Sequence, residues 1–222
     1  MQGMMELTHL LDPLTIKGFT LKNRIVMPPM QNRFATPNGM VTDELVSHYV
    51  RRSEDLGLLI IEHCYISLEG KLVDKQLGIY EDQLISGLTQ LASQIQPLGV
   101  PTVVQINHAG RMANSETIGM QPVAPSQTES ARALLLEEIE TITDNFVLAA
   151  ERAIKAGFDG VEVHGSHGFL LNQFFSPLSN QRQDKYGGSL ENRMRLPLEV
   201  IERVRKQIDG KLLYQFLLPN QL

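Results

Sequence analysis

Four of the six histidines fall at the ends of short apolar runs. RIVMPPM leads into Pro28-Pro29-Met30-Gln31, and LLIIEHCYIS carries Glu62-His63-Cys64-Tyr65. PTVVQIN leads to Gln105-Ile106-Asn107-His108, and FDGVEVHG leads to His164-Gly165-Ser166-His167. Imidazole can donate a hydrogen bond, move a proton or bind a metal near neutral pH. If the runs are parallel strands, these ends share one rim, which is where ligands gather in parallel α/β folds. The bland alternative makes each histidine a satisfied core or loop residue; the His164/His167 pair fits that alternative least well.

Two chemistries would use such a rim. A metal-dependent hydrolase needs converging imidazoles and carboxylates around an ion that activates water. Glu62 and Glu162 are the nearest carboxylates. Strand alternation turns Glu62 and His63 to opposite faces and puts Glu162 and His164 on one. The His164/His167 spacing is flanked by Gly165 and Gly168, which favour a turn over the helix that a helical metal site requires. The second chemistry is a neutral, donor-rich pocket that polarises a carbonyl beside a redox cofactor. Two imidazole N–H groups on one carbonyl oxygen would draw electron density from a conjugated alkene and make its β-carbon accept hydride.

The elements that position these residues alternate strand and helix. Leu14–Leu21 predicts a β-hairpin around Lys17-Gly18. Arg24–Met30 is a strand stopped by proline, and Thr42 caps a helix that runs to Leu56 before Gly57. Leu58–Ser67 is the second strand of the α/β series, Asp82–Leu98 a helix, and Pro101–Asn107 the third strand. Residues 109–136 lack a clear period and predict a long loop of the kind that builds binding sites. Ile139, Ile142, Phe146, Ala149, Ala150, Ala153 and Ile154 mark one apolar helical stripe ending at Gly157. Phe158–Gly165 is strand four, a loop follows to Gly188, and Ser189 opens a helical segment. Pro197 is expected to start a new helix there, because proline suits a first helical position and not an interior one. That helix is expected to stop at Gly210, with Leu212–Leu218 as a fifth strand. The order predicts one α/β domain over residues 1–222 with about five parallel strands.

Composition removes other classes. The chain has 222 residues, formal net charge −5, a single cysteine and no tryptophan. The mild acidic excess argues against a nucleic-acid partner. No apolar run approaches the ~18 residues of a membrane span, and the first residues lack the order of a signal peptide. Cys64 alone excludes an intrachain disulfide framework and any CxxC zinc site, and suits a cytoplasmic setting. No glycine-rich phosphate cradle of the GxGxxG or P-loop type occurs.

The longer motifs favour the second chemistry. HGSHGFLLNQFFSPLSNQRQDKYGGSLENRMR, His164 to Arg195, resembles the strand-four signature of the Old Yellow Enzyme family of FMN-dependent NAD(P)H oxidoreductases. NRIVMPPM is similar to that family's first strand, and QINHAGR to its third strand and loop. AGFDGVEVHGSHG enters the long motif in the expected order, so the resemblance runs from about Leu11 to Gly210. It implies a (β/α)8 TIM barrel, FMN and NAD(P)H as cofactors, and a small-molecule substrate such as an activated alkene; a homo-oligomer is a separate candidate, through pairing of an open sheet edge.

Residue by residue, the resemblance places Pro28, Pro29 and Met30 against the flavin ring and Gln105 on its pyrimidine edge. Gln31 falls where relatives carry Cys or Thr, and His63 where they carry a small flavin-contacting residue. His164 and His167 match the donor pair for a substrate carbonyl or phenolate oxygen. Phe169 replaces a tyrosine that protonates the substrate in many relatives, so it is expected only to line the pocket. Asn180, Arg182, Asp184, Tyr186, Gly187-Gly188 and Glu191-Asn192-Arg193 are expected to form a pinned loop, with Arg–carboxylate pairs supporting the rim. The family's arginine after strand five and its phosphate-holding groups after strands seven and eight have no counterpart before Leu222. An incomplete barrel is therefore expected, with an open sheet edge and, as the alternative to a working oxidoreductase, weak or absent FMN binding.

Overall fold

A computed structural model describes residues 9–16, 19–209 and 212–215. Strands β1 (Leu14–Ile16) and β2 (Phe19–Leu21) pair antiparallel with Thr15 opposite Thr20, as a hairpin requires. Its Lys17-Gly18 turn lies outside the described residues. Five parallel strands follow in one sheet. They are β3 (Val26–Met27), β4 (Leu58–Tyr65), β5 (Thr102–Asn107), β8 (Gly160–His164) and β9 (Leu212–Gln215). Their spatial order β3-β4-β5-β8-β9 places each new strand beside the previous one, the arrangement of a partial β/α barrel. Gly210 and residues 216–222, including the expected end of the fifth strand, also lie outside the described residues.

The first parallel strand is shorter than expected. It keeps two ladder residues instead of seven, because neither Pro28 nor Pro29 has an N–H to donate. Helix α1 (Asp43–Ser53) begins as the sequence requires: Thr42 Oγ1 accepts the Leu45 N–H at 3.2 Å. Asp43 and Glu44 complement its first turn, and Arg51 and Arg52 its last. Helix α2 (Ile85–Ile95) is extended by a 3-10 turn at each end, which accounts for the expected Asp82–Leu98 span.

The expected loop between β5 and the next long helix is partly ordered. It contains helix α3 (Ser115–Ile118) and the paired strands β6 (Val123–Ala124) and β7 (Arg132–Ala133). Helix α4 (Leu136–Lys155) buries the predicted stripe as far as Ala153, with Ile154 partly buried at its end. The loop after β8 also holds an unexpected helix, α5 (Leu170–Phe175).

The expected break at Pro197 is corrected. Helix α6 (Leu190–Gln207) runs continuously through it, capped by Ser189 Oγ on the Asn192 N–H at 3.2 Å. Pro197 is buried on the same stretch as Leu196 and Val200, so packing offsets the hydrogen bond its missing N–H forfeits.

The core lies between sheet and helices. Leu59, Ile61, Val104, Ile106, Val161 and Val163 pack against the stripes of α2 and α4. Each of these apolar residues stabilises by roughly 1.5–3 kcal/mol when fully buried. Their neighbours in sequence, Gln105, Glu162 and His164, alternate to the other face, and so a polar set arises at the strand ends.

Candidate active site

Three of the four rim histidines converge. The His164 ring centroid lies 5.2 Å from that of His167 and 6.1 Å from that of His63. Phe169 closes the group, 4.9 Å from His164 and 5.5 Å from His63. His108 stands apart: its Nδ1 accepts the Gly110 N–H at 3.0 Å, its ring abuts Gly70, and its Nε2 lies 3.6 Å from Glu69.

His164 ends β8, and its buried ring accepts the Ser166 N–H on Nδ1 at 3.3 Å. Its hydrogen therefore sits on Nε2, which lies 3.4 Å from His167 Nδ1. The histidines thus form a short relay in which His164 donates to His167. Burial, reinforced by His63 and His167, lowers the His164 pKa to about 3. Burial and then His167 lower that of His63 to about 4. Both rings are neutral donors at physiological pH.

The turn that aims His167 is strained and held. His167 has φ +55°, and Gly168 follows at +76°. A left-handed conformation at a non-glycine residue costs about 1 kcal/mol or more, and such strain collects at functional sites. Helix α5 holds the turn. Asn172 Oδ1 accepts the Gly168 N–H at 3.0 Å, and Gln173 Nε2 donates to Gly168 O at 2.6 Å and Ala109 O at 3.1 Å. Neither Asn172 nor Gln173 was singled out from the sequence; the polar Asn-Gln step inside LLNQFF was the available signal.

His63 reaches this group through a bulge. β4 pairs Ile61 with Val104 but Cys64 with Ile106, so β4 carries one extra residue at Glu62-His63. Strict alternation does not pass through it. The two side chains do part company: His63 joins His164 and Phe169, whereas Glu62 meets α1. The Glu62 Oε1 accepts from the Tyr49 hydroxyl at 3.5 Å, and its Oε2 accepts the Asn32 N–H at 3.3 Å. Burial raises the Glu62 pKa to about 7.

On the neighbouring strands, Gln105 and Glu162 are register partners, and Gln105 Nε2 donates to Glu162 Oε1 at 2.6 Å. Burial raises the Glu162 pKa, and the Gln105 bond works against that rise. Pro28 and Met30 are exposed and Pro29 is half-buried beside them. Gln31 Nε2 is buried with no partner among the described residues. Glu62 and Glu162 therefore join separate hydrogen-bond groups, and no three His, Cys, Asp or Glu side chains among the described residues are grouped to hold a metal ion. No described helix is long and apolar enough to cross a membrane.

The rim is braced by the segment after α5. Arg182 makes a forked pair with Asp184 at 2.6 and 3.0 Å and donates from Nη1 to Pro125 O at 2.9 Å and Leu134 O at 2.6 Å. Asn180 Nδ2 ties Phe174 O to Tyr186 O, both at 2.7 Å, and Arg193 Nε donates to Phe175 O at 2.9 Å. Among the expected bracing residues, Glu191 is exposed in the first turn of α6 and makes no ion pair among the described residues.

His63, His164 and Phe169 thus gather at the carboxyl ends of the parallel strands of a partial β/α barrel. The chain belongs to the NADH:flavin oxidoreductase / NADH oxidase family, whose sequence profile matches residues 9–216. It is 43% identical over 202 residues to the NADH oxidase of Thermoanaerobacter brockii, covering 87% of this chain and 31% of that protein. It is also 43% identical over 202 residues to the NADPH dehydrogenase of Clostridium acetobutylicum, covering 88% of this chain and 59% of the relative. The solved structure of the Old Yellow Enzyme homologue from Zymomonas mobilis superimposes with a TM-score of 0.89 at 35% identity, over 93% of this chain and 62% of that one. The chain therefore spans about three-fifths or less of the length of these relatives.

Proposed function

We propose that this chain carries the ring and substrate side of an FMN-dependent NAD(P)H oxidoreductase that reduces alkenes conjugated to a carbonyl. The single observation that carries this is the His164–His167 contact at 3.4 Å, beside Phe169. A carbonyl oxygen seated there accepts from His164 Nε2 in place of His167, and it takes a second hydrogen bond from His167 once the freed Nδ1 of that ring carries the ring hydrogen. Two such bonds to developing negative charge stabilise it by about 1.5–3 kcal/mol each.

The donor set fits an isoalloxazine ring, which presents carbonyl oxygens and imine nitrogens in one plane. The orphaned Gln31 Nε2 is a donor awaiting such an acceptor. Gln105, with its amide plane set by Glu162, suits the pyrimidine edge. Pro28, Pro29 and Met30 present backbone and thioether to the ring face, and His63 offers a further donor. When bound, FMN supplies the hydride that NAD(P)H provides. The chain's own residues hold and polarise the carbonyl, and His164 and Phe169 restrict water around it. Phe169 has no acidic hydrogen, so the proton for the α-carbon comes from solvent.

The test is anaerobic oxidation of NADH or NADPH by the chain supplemented with FMN, with and without 2-cyclohexenone. Enone-dependent oxidation is expected, with a loss of about 100-fold or more when His164 and His167 are both replaced by alanine. Oxidation that ignores the enone, or that survives the double replacement, contradicts the proposal.

A further inference from the structure

The Gln76 amide is fully buried, and every atom of it is committed. Its Oε1 accepts the Leu72 N–H at 2.7 Å. Its Nε2 lies 3.0 Å from His63 O and 3.0 Å from His63 Nδ1. The amide cannot be turned over, because a backbone N–H only donates and a backbone carbonyl only accepts. The two amide hydrogens therefore go to the two His63 acceptors. Nδ1 must offer its lone pair, so the hydrogen of the neutral ring is on Nε2. That hydrogen meets no acceptor among the described residues, and the ring carrying it stands against His164 and Phe169.

We infer that Gln76 is a positioning residue that fixes His63 in the Nε2–H tautomer, making His63 a third imidazole donor of the site for a carbonyl oxygen of the bound ligand. The β4 bulge delivers the ring to the site, and Gln76 decides which nitrogen carries the hydrogen. The relay on the other side follows the same logic: Ser166 N–H fixes His164 as Nε2–H. His63 and His164 then present the same nitrogen as donor, and a planar ligand with two carbonyl oxygens is the chemistry that satisfies both. A small residue at position 63 would leave this ligand with one donor fewer. The tautomer stands on geometry alone, whereas the donor role rests on the proposed FMN and enone site.

The tautomer is read by 15N NMR of side-chain-labelled histidine, with the His63 signals assigned by their loss in His63→Phe. His63 Nδ1 is expected at a pyridine-type shift and Nε2 at a pyrrole-type shift. In Gln76→Leu the amide hydrogen that pins Nδ1 is gone, so the two tautomers mix and the two shifts move toward each other. A pyrrole-type Nδ1 in the unaltered chain overturns the inference, whether or not FMN binds. The donor role is read by equilibrium titration of FMN and of 2-cyclohexenone. His63→Phe keeps the ring bulk and is expected to weaken one of the two by roughly five- to tenfold, identifying which ligand supplies the oxygen. Unchanged affinity for both overturns the donor role. If the unaltered chain takes up no FMN, the proposed function fails with the donor role, and the NMR result is unaffected.

Discussion

His164 Nε2 faces His167 Nδ1 at 3.4 Å, so one ring spends its hydrogen on the other. A ligand oxygen must take over that hydrogen to bind. Under the proposed function, carbonyl and phenolate oxygens would do so by accepting from both rings, which an apolar ligand of the same shape cannot do.

Single replacements at this pair should therefore act on ligand affinity. In His164→Ala, binding of a phenol to the FMN-loaded chain is expected to weaken by about 10- to 100-fold, the loss of one hydrogen bond to a charged oxygen. Spectrophotometric titration measures it. Equal affinity in the variant removes His164 from the oxygen site.

Phe169→Tyr should supply the acid the site lacks. The hydroxyl would be introduced on a ring whose centroid is 4.9 Å from that of His164. Enone-dependent turnover is expected to rise by about tenfold or more, with NAD(P)H-dependent flavin reduction unchanged, because a positioned acid accelerates only the step that transfers the proton. Stopped-flow absorbance separates the two steps; an acceleration of flavin reduction alone contradicts the assignment of solvent as the proton source.

Glu62 makes stability depend on pH in a set direction. Its folded pKa, about 7, lies above the ordinary value of 4.5. Between those values the folded state holds the extra proton, so stability from this group falls as pH rises through the interval and is level above it. The loss is on the order of 3 kcal/mol. Urea unfolding of the chain and of Glu62→Gln should show the difference between them changing by that amount between pH 4.5 and 7. A constant difference contradicts the buried-acid picture.

His164 and His63 act in the opposite sense. Their folded pKa values, about 3 and 4, lie below the ordinary 6.5. Stability from these rings is complete above pH 6.5 and is lost as pH falls toward 3, because the unfolded chain takes the protons first. His63→Phe should flatten part of that acid loss in the same urea series, and an unchanged acid profile would show that His63 is accessible to protons when folded.

The sequence made the strand ends legible because apolar runs and terminal polar residues are local signals. His164, His167 and Gln105 stood at strand ends by type and position, Phe169 was reached only through the family resemblance, and the bracing role of Arg182 and Asn180 followed from charge and turn chemistry. What escaped was set at a distance. The β4 bulge depends on pairing with β5, so alternation alone could not place His63. Gln76 lies in a loop without period, and its importance comes from a buried partner thirteen residues earlier. His108 shares a strand end with Gln105, yet turns to Gly70 and Glu69, a neighbourhood created by packing of the loop after β4. Pro197 broke the expected helix on paper, whereas burial on α6 keeps it continuous.

Binding of FMN to the chain tests the central claim most directly. Titrating FMN fluorescence with the purified 222-residue protein should give saturable one-to-one quenching, weakened by roughly tenfold in Gln105→Leu, where one ring-edge hydrogen bond is lost. Fluorescence that stays unquenched at all protein concentrations, with the chain shown to be folded by circular dichroism, would contradict a flavin site at this rim.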